Sequence, residues 1–266
     1  MEFSDRQIFY VSSHDRSSGD TNNFSYTFNL SPKTNYDYVG VLAASIPKSY
    51  YLISSINDTF ILSENGTNVN IIVPHGNYTI TAWVNTLNAL LNSSSPNNYT
   101  YAVYFSTSSN VSTGLLKFTV SDNGGVQPTF IIGSNSPYRR LGFNLGTYSF
   151  NNNSLSSVNV ISLQLISALF IHSTISDNKD DSVLQEIYSN TSDYSYITYQ
   201  ATQLLAYSKK ISFQNSTSIN ASFYLTDEDN NFVDLNGLAW NFTIVFFKLN
   251  NALDMIRDFI KLQLIQ

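Results

Sequence analysis

The strongest signal along the chain is alternation of apolar and polar residues. In residues 24–30, FSYTFNL, Phe24, Tyr26, Phe28 and Leu30 fall on one face and Ser25, Thr27 and Asn29 on the other, the period of a half-buried β-strand. Ile219, Ala221, Phe223 and Leu225 alternate likewise with Asn220, Ser222, Tyr224 and Thr226, and an apolar run from Trp240 to Phe247 follows an acidic loop. These two strands are expected to pair across that loop. Residues 38–53 are β-branched and aromatic, with Pro47 in IPKSYYLI marking a bend or an edge. Glu64-Asn65-Gly66, between the runs 60–63 and 69–73, predicts a hairpin, because Asn-Gly accepts the positive φ angles of a tight turn. A short strand at 7–12 leads into the polar stretch HDRSSGDTNN, read as an exposed arm or loop.

Helical spacing stands out in TITAWVNTLNALLN, where Trp83, Val84, Leu87, Leu90 and Leu91 recur behind a Thr cap. Residues 98–105 and 115–120 predict a further hairpin, and 137–143 a short helical turn ended by Gly142. Strand character returns at 158–173 and 194–213. At the C-terminus, residues 250–266 place Ala252, Leu253, Ile256, Phe259 and Ile260 opposite Asp254, Arg257, Asp258 and Lys261, an amphipathic helix. Docking on its own domain or on a neighbouring subunit are its two readings; its polar face is not basic, which argues against a membrane surface.

Composition narrows the class. With 42% apolar, 14% aromatic and only 12% charged residues, the chain can fill a large β-rich core and is solubilised by hydroxyls and amides. The net charge of −6, with no basic run longer than a pair, gives no footprint for direct nucleic-acid binding. The absence of cysteine excludes disulfides, Cys-ligated zinc and thiol catalysis. No basic-then-apolar leader and no apolar run of spanning length are present, so a soluble, unprocessed chain with no stable membrane insertion is expected.

No catalytic, metal or cofactor-binding residues are expected. His14, His75 and His172 are far apart in sequence and lack ligand spacing, and there is no Gly-rich phosphate loop or Gly-x-Ser-x-Gly elbow. The chain reads as a non-enzyme. The loop TDEDNNFVDLNG invites comparison with a calcium site: Asp227, Asp229 and Asn231 match the first, third and fifth positions of an EF-hand loop. Phe232 then stands where Gly is required and Leu238 where the bidentate Glu belongs, so a self-bonded hairpin turn is the expectation.

Taken in order, IPKSYYLI, the ENG hairpin, VPHGNYTITAWVNTLNALLN, YTYAVYF, GLLKFTV, YRRLGFN, SVNVISLQLISALFIHS and LTDEDNNFVDLNGLAWNFTIVFF resemble the penton, or minor capsid, proteins of virophages, polinton-like elements and related double-jelly-roll-capsid DNA viruses. The resemblance runs from about residue 38 to 249. It implies an all-β single jelly roll that forms homopentamers at the fivefold vertices of a virion, beside trimers of a major capsid protein, with other minor capsid proteins as further candidates, assembled in the infected host cell. An N-terminal strand and exposed arm over 1–23, a jelly roll over 24–249 with an insertion at about 75–157, and the helix at 250–266 are the expected domains. Eight main strands are expected at 24–30, 38–53, 60–63, 69–73, 158–173, near 197–213, 219–225 and 238–249, with the helix-and-hairpin insertion between the fourth and fifth.

In such a sandwich the acidic loop, the Glu64 turn, Ser31-Pro32 and the loop at 174–182 are expected to gather at one end. Asp227, Glu228, Asp229 and Asp234 would then be repeated around a fivefold axis, where like charges repel unless they splay outward or share a cation. Tyr50, Tyr51, Tyr138, Arg139 and Arg140, aromatic and Arg groups in polar segments, are the candidate interface residues. Ordinary packing is the alternative for each, and for Tyr50 and Tyr51 it carries equal weight. Two other readings are a receptor- or glycan-binding viral spike and a jelly-roll enzyme.

Overall fold

The computed structural model describes residues 3–31, 36–108, 111–164, 166–176, 182–204, 208–211 and 217–249. The helix expected at 250–266, Pro32, and residues 177–181 of the Asp-rich loop lie outside them. The chain divides into two compact units, Met1–Tyr50 with Ile166–Gln266, and Tyr51–Leu165. The first opens with β1 (Phe3–Ser12), β2 (Ser18–Gly19), β3 (Asn23–Asn29) and β4 (Tyr38–Pro47). The second holds β5 (Thr59–Glu64), β6 (Thr67–Ile72), α1 (Ile80–Ser94), β7 (Thr100–Ser108), β8 (Val111–Ser121), β9 (Thr129–Ile132), α2 (Tyr138–Leu141), β10 (Gly146–Ser149) and β11 (Ser154–Ser156). The first resumes with β12 (Ala168–Ser173), β13 (Val183–Tyr188), β14 (Tyr196–Gln200), β15 (Lys209–Lys210), β16 (Ser218–Thr226) and β17 (Asn241–Leu249). No described helix is long and apolar enough to cross a membrane.

In the first unit one sheet runs β1-β17-β4-β14, with β15 also on β4, and the other β13-β12-β16-β3-β2. The sheets face each other across aromatic rings. Phe28 of β3 meets Phe246 of β17 with centroids 5.2 Å apart, and Phe223 of β16 meets Phe242 of β17 at 4.8 Å. The alternation read in 24–30 and 219–225 therefore sets the inward faces of two adjacent strands, since Phe24 pairs with Phe223 and Phe28 with Ile219.

Several expectations need correction. The strand expected at 7–12 is longer: β1 has ten residues and pairs with β17, with an irregularity between Phe3 and Asp5. Its alternation is masked in the sequence by Gln7, which faces inward. There Gln7 donates to the Asn29 carbonyl at 3.1 Å and accepts from the Ser31 amide at 3.0 Å. The strands on either side of the acidic loop do not pair: β16 bonds β12 and β3, whereas β17 bonds β1 and β4, so the loop crosses from one sheet to the other. The strand expected over 158–173 is only β12, because residues 157–161 are held as a loop by bonds to Leu116, Gly142 and Gly114.

The ENG hairpin forms, with Asn65 at φ 46° and Gly66 at φ 82°, but its strands belong to the second unit. There β10-β9-β5-β6 form one sheet and β11-β8-β7 another. Phe60, Leu62 and Ile71 of the hairpin bury in the same cluster as Trp83, Leu87 and Leu91 of α1. Period-two alternation specifies a strand but not its sheet. The second unit thus begins at Tyr51, ahead of the expected insertion at about 75–157, and it follows three main strands of the first unit, one fewer than expected.

Helix α1 starts as its sequence indicates. Thr79 caps it by accepting from the Ala82 amide at 3.3 Å, and the Trp83 indole donates to the Arg140 carbonyl at 3.0 Å. α2 ends at Gly142, φ 74°, where a Cβ would lie 2.4 Å from the Asn159 carbonyl oxygen.

Candidate assembly surface

One end of the first unit is built by four connections that bond one another. After β1, Ser13 and Trp240 exchange bonds: the Ser13 amide donates to the Trp240 carbonyl and the Trp240 amide to the Ser13 hydroxyl, each at 3.0 Å. The buried Trp240 indole donates to the Thr21 carbonyl at 3.0 Å. Asn22 donates to Asp234 at 2.9 Å and accepts from the Leu235 amide at 3.0 Å. After β4, the Ser49 hydroxyl donates to the Leu235 carbonyl at 2.7 Å. Lys48, only 7% exposed, donates through Nζ to the Thr191 carbonyl and lies 3.5 Å from Asp193, which ties the loop between β13 and β14 to the same end.

Ser31 and residues 174–176 are not here. Leu30 bonds Thr217 at the start of β16, and Thr174 bonds Ser222, so both connections run toward the opposite end of the sandwich from the acidic loop. Within the first unit, the expected gathering of Ser31 and residues 174–176 with the acidic loop is therefore replaced by the one just described; the Glu64 turn belongs to the second unit.

Within the acidic loop Asp227 and Asp234 serve the loop's own backbone, and Glu228 reaches beyond it. Oδ1 of Asp227 accepts from the amides of Asp229 at 2.9 Å and Asn231 at 2.8 Å, while its Oδ2 accepts from the Asn231 side chain at 3.1 Å. Glu228 accepts from the amides of Ser167 and Ala168 and from the Ser167 hydroxyl, fixing the start of β12. Asp234 accepts from the Asn236 amide at 2.8 Å. This is the turn chemistry of Asx residues, in a loop between sheets and not in a hairpin. The core residues that hold it are Val233 and Leu235 with Trp240, whereas Leu238 is 50% exposed and Phe232 63%.

The candidate interface residues divide between the units. Tyr50 is buried and bonds Ser189 at 2.9 Å. Burial pushes its hydroxyl pKa up, against the Ser189 bond and with the charges of Asp193 and Glu228. Its ring is committed inside the first unit, which is the packing alternative. Tyr51 is 41% exposed. Tyr138 packs against the second unit's core with the Arg139 guanidinium 5.6 Å from its ring, and Arg140 donates to the Ser162 carbonyl at 3.1 Å. The second unit is charge-balanced, with Asp58, Glu64 and Asp122 against Lys117, Arg139 and Arg140, so the net charge of −6 belongs to the first.

The histidines are engaged separately. His172 bonds Ser182 and Thr226 and stacks on Tyr224. His75 lies 2.9 Å from Asp58; burial raises the Asp58 pKa, but the Thr59 hydroxyl and the bond and charge of His75 outweigh it and leave it below the ordinary value.

The outer face of the β1-β17-β4-β14 sheet has a different character. Inward residues such as Phe9, Phe242 and Phe246 fix the opposite parity outward. Tyr10, Thr243, Ala43 and Gln200 thus form one row across the four strands, Ser12, Asn241, Ser45 and Thr198 the next, and Pro47 and Tyr196 a third. None carries a charge. A shallow groove of 310 Å³ lies between Tyr10 and Ala43, with Asp15 in its lining.

The chain is similar to the mavirus penton protein. The selenomethionine-labelled crystal structure of that protein aligns over 91% of this chain and 100% of its own, with a TM-score of 0.45 and 12% identity. No protein-family model matches the sequence, and no curated protein does.

Sequence reasoning missed Lys48, Asn22 and Tyr10. Lys48 had a visible signal, a single cation inside the apolar IPKSYYLI. Asn22 had none, since its partners are more than two hundred residues away. Tyr10 alternates with Phe9 and Val11, but which parity faces outward depends on the pairing with β17.

Proposed function

We propose that this chain is a penton-type minor capsid protein whose first unit is a single jelly roll. Its eight strands are β1, β3, β4, β12, β13, β14, β16 and β17, and the second unit is an insertion between the third and fourth. The observation that carries the reading is the strand order. One sheet takes the first, eighth, third and sixth strands in sequence, the other the fifth, fourth, seventh and second, so every connection except β12 to β13 crosses between sheets. That interleaving supports a jelly roll over a meander. Fold alone does not assign function, and the ordered segments resembling penton proteins supply the rest.

The role is structural and not catalytic: five copies close a ring at a virion vertex through heterologous contacts and abut major capsid protein trimers. Tyr51, Tyr138 and Arg139 are the retained interface candidates, and the loop bearing Asp227, Glu228, Asp229 and Asp234 lines the fivefold end. Sedimentation velocity on the purified chain tests the reading. A five-copy species at micromolar concentration that also adds to shells of the major capsid protein is the expected result; a monomer or trimer that never enters shells overturns it.

A receptor- or glycan-binding surface protein is the second reading, favoured by Tyr188, Tyr194 and Tyr196, which are 67%, 78% and 58% exposed. A trimer that binds glycans would select it.

A further inference from the structure

We propose that Asn65-Gly66 is a site of spontaneous covalent modification, at which the chain's own backbone expels the Asn65 amide nitrogen and water leaves aspartate or isoaspartate in its place. The sequence holds three Asn-Gly pairs, beginning at residues 65, 123 and 236, and the structure separates them. Asn65 and Asn236 are a matched pair in their backbone. Each lies in the left-handed region, at φ 46° and 53°, ahead of a glycine at φ 82° and 80°. Neither glycine has an atom within 4 Å of where a Cβ would stand, so both are open on that side. They differ in what holds the carboxamide. Nδ2 of Asn236 donates to the Ser49 carbonyl at 2.5 Å, its own amide donates to Asp234 at 2.8 Å, and the Leu238 amide closes the turn onto the Leu235 carbonyl at 3.2 Å. Asn123 is 5% exposed, and its Nδ2 donates to the Val126 carbonyl at 2.7 Å and to the Asn153 side chain at 2.8 Å. The Asn65 side chain is exposed and makes no hydrogen bond among the described residues.

The reaction needs only water. Hydroxide removes the proton from the Gly66 nitrogen, which bonds to Cγ of Asn65 while the Cγ–Nδ2 bond breaks and ammonia leaves. Water then opens the cyclic imide. Attack at Cγ breaks the new N–Cγ bond and gives aspartate. Attack at the Asn65 backbone carbonyl carbon breaks its bond to Gly66 and leaves the chain running through Cγ, as isoaspartate. One water is consumed, one ammonia is released, and nothing is oxidised. A side chain on residue 66 would crowd the attacking nitrogen, and glycine has none. Only the tip has to move, because Glu64 pairs with Thr67 behind it and the ladder of β5 and β6 can stay closed. At Asn236 the same motion breaks the bonds to Ser49 and within the turn, and at Asn123 it breaks two side-chain bonds. The product changes the hairpin in two ways. Isoaspartate adds a carbon to the backbone of a two-residue turn that fits only with both φ angles positive. The new carboxylate also stands next to Glu64, whose own carboxylate is wholly buried among Ser95, Asn97 and Tyr101.

Incubation of the full chain at mildly alkaline pH, followed by peptide mapping in a mass spectrometer, tests the assignment without reference to what the protein assembles into. The readout is the mass gain of an amide hydrolysed to an acid, and resistance to a protease that cleaves before aspartate measures the isoaspartate share. In the native chain Asn65 is expected to convert at least about tenfold faster than Asn236 or Asn123, the factor in rate that one or two hydrogen bonds supply. In urea, where none of those bonds survives, the three sites are expected to convert at similar rates. Gly66→Ala is expected to slow conversion at residue 65 and leave the other two sites as they were. Hydrogen exchange on chains converted at residue 65 is expected to be faster at the Thr67 amide and unchanged in β16 and β17. A native Asn65 that stays intact while the urea-unfolded chain converts overturns the assignment, and so does a native Asn236 or Asn123 that keeps pace with it. Conversion at Asn65 with unchanged exchange at Thr67 overturns the effect on the hairpin.

Discussion

Tyr101 donates its hydroxyl to the carboxylate of Glu64 at 2.8 Å in a part of the second unit where Glu64 is wholly buried. Ser95 and the Asn97 amide complete the set of donors, and no cation reaches the carboxylate among the described residues. The last residue of β5, the end of α1 and the edge strand β7 are thereby tied at one point. A buried carboxylate is tolerated when donors surround it, and removing one donor leaves the rest of the cost in place.

Tyr101→Phe is therefore expected to destabilise the second unit by about 2 kcal/mol, the range for a hydrogen bond to a charged group. The pH dependence adds a signature. Burial, the bond to Glu64 and the charge of Glu64 all push the Tyr101 pKa above its ordinary value, with Tyr99 adding in the same direction. A pKa raised on folding gives stability that is full below the unfolded value of about 10 and is lost as pH rises through the folded value. Urea midpoints measured from pH 8 to 11.5 are expected to fall more steeply above pH 10 for the wild type than for Tyr101→Phe; parallel curves would remove Tyr101 as the cause.

Asn88 and Asn92, one turn apart on α1, treat the edge of β7 as a neighbouring strand would. Asn88 accepts from the Val103 amide at 2.7 Å and donates to the Val103 carbonyl at 3.0 Å; Asn92 accepts from the Tyr101 amide at 2.9 Å and donates to its carbonyl at 2.8 Å. Each side chain must both donate and accept, so an acceptor-only replacement fails by half. Asn88→Asp is expected to cost about 1–2 kcal/mol because it strands the Val103 carbonyl, and Asn88→Ala more, because it strands the Val103 amide as well. Thermal denaturation of the two variants checks this, and an Asp variant as stable as the wild type would contradict it.

Much of this was legible in the sequence where the determinant is local. Asn65-Gly66 announces its hairpin, Thr79 its helix and Gly142 the end of α2, because each is set by the backbone angles or the cap of a few residues. Sheet membership was not legible. Residues 60–73 alternate as well as 24–30 do, and only the burial of Phe60 and Ile71 with Trp83 assigns them to the second unit. The first strand was half hidden because a half-buried Gln7, satisfied by Asn29 and Ser31, reads as polar although it lies on the inward face. The acidic loop was read correctly as self-bonded and incorrectly as a hairpin, since Asx bonds form in any turn and say nothing of which strands it joins.

Two glycines with positive φ separate conformational strain from steric exclusion. Gly66, φ 82°, has nothing within 4 Å of a Cβ, whereas at Gly142, φ 74°, a Cβ would meet the Asn159 carbonyl at 2.4 Å and Cβ of Ser157 at 2.8 Å. Gly66→Ala is expected to cost about 1 kcal/mol from the left-handed backbone alone. Gly142→Ala must also displace backbone that bonds the Gly142 carbonyl through the amides of Val158 and Asn159, so a loss of about 3 kcal/mol or more is expected. Equal melting temperatures for the two variants would contradict the distinction.

Lys48 decides whether the loop between β13 and β14 stays fastened to the end of β4. Its backbone already binds the loop, donating to the Ser195 carbonyl at 2.8 Å and accepting from the Tyr194 amide at 3.1 Å. The ammonium adds the Thr191 carbonyl and Asp193. Lys48→Met keeps the apolar stem that packs in a nearly closed site and deletes only the charge, which isolates the second contribution. The expected cost is about 1–2 kcal/mol, mostly from the stranded carbonyl, because Asp193 is 38% exposed and such a pair contributes under about 1 kcal/mol. Asp193→Asn should accordingly be the milder change. Hydrogen exchange at the Tyr194 amide reports the loop directly: faster exchange in Lys48→Met, with exchange in β16 and β17 unchanged, is the expected pattern. If Tyr194 exchanges at the wild-type rate, the backbone bonds alone hold the loop, and the buried ammonium has no part in shaping this end of the sandwich.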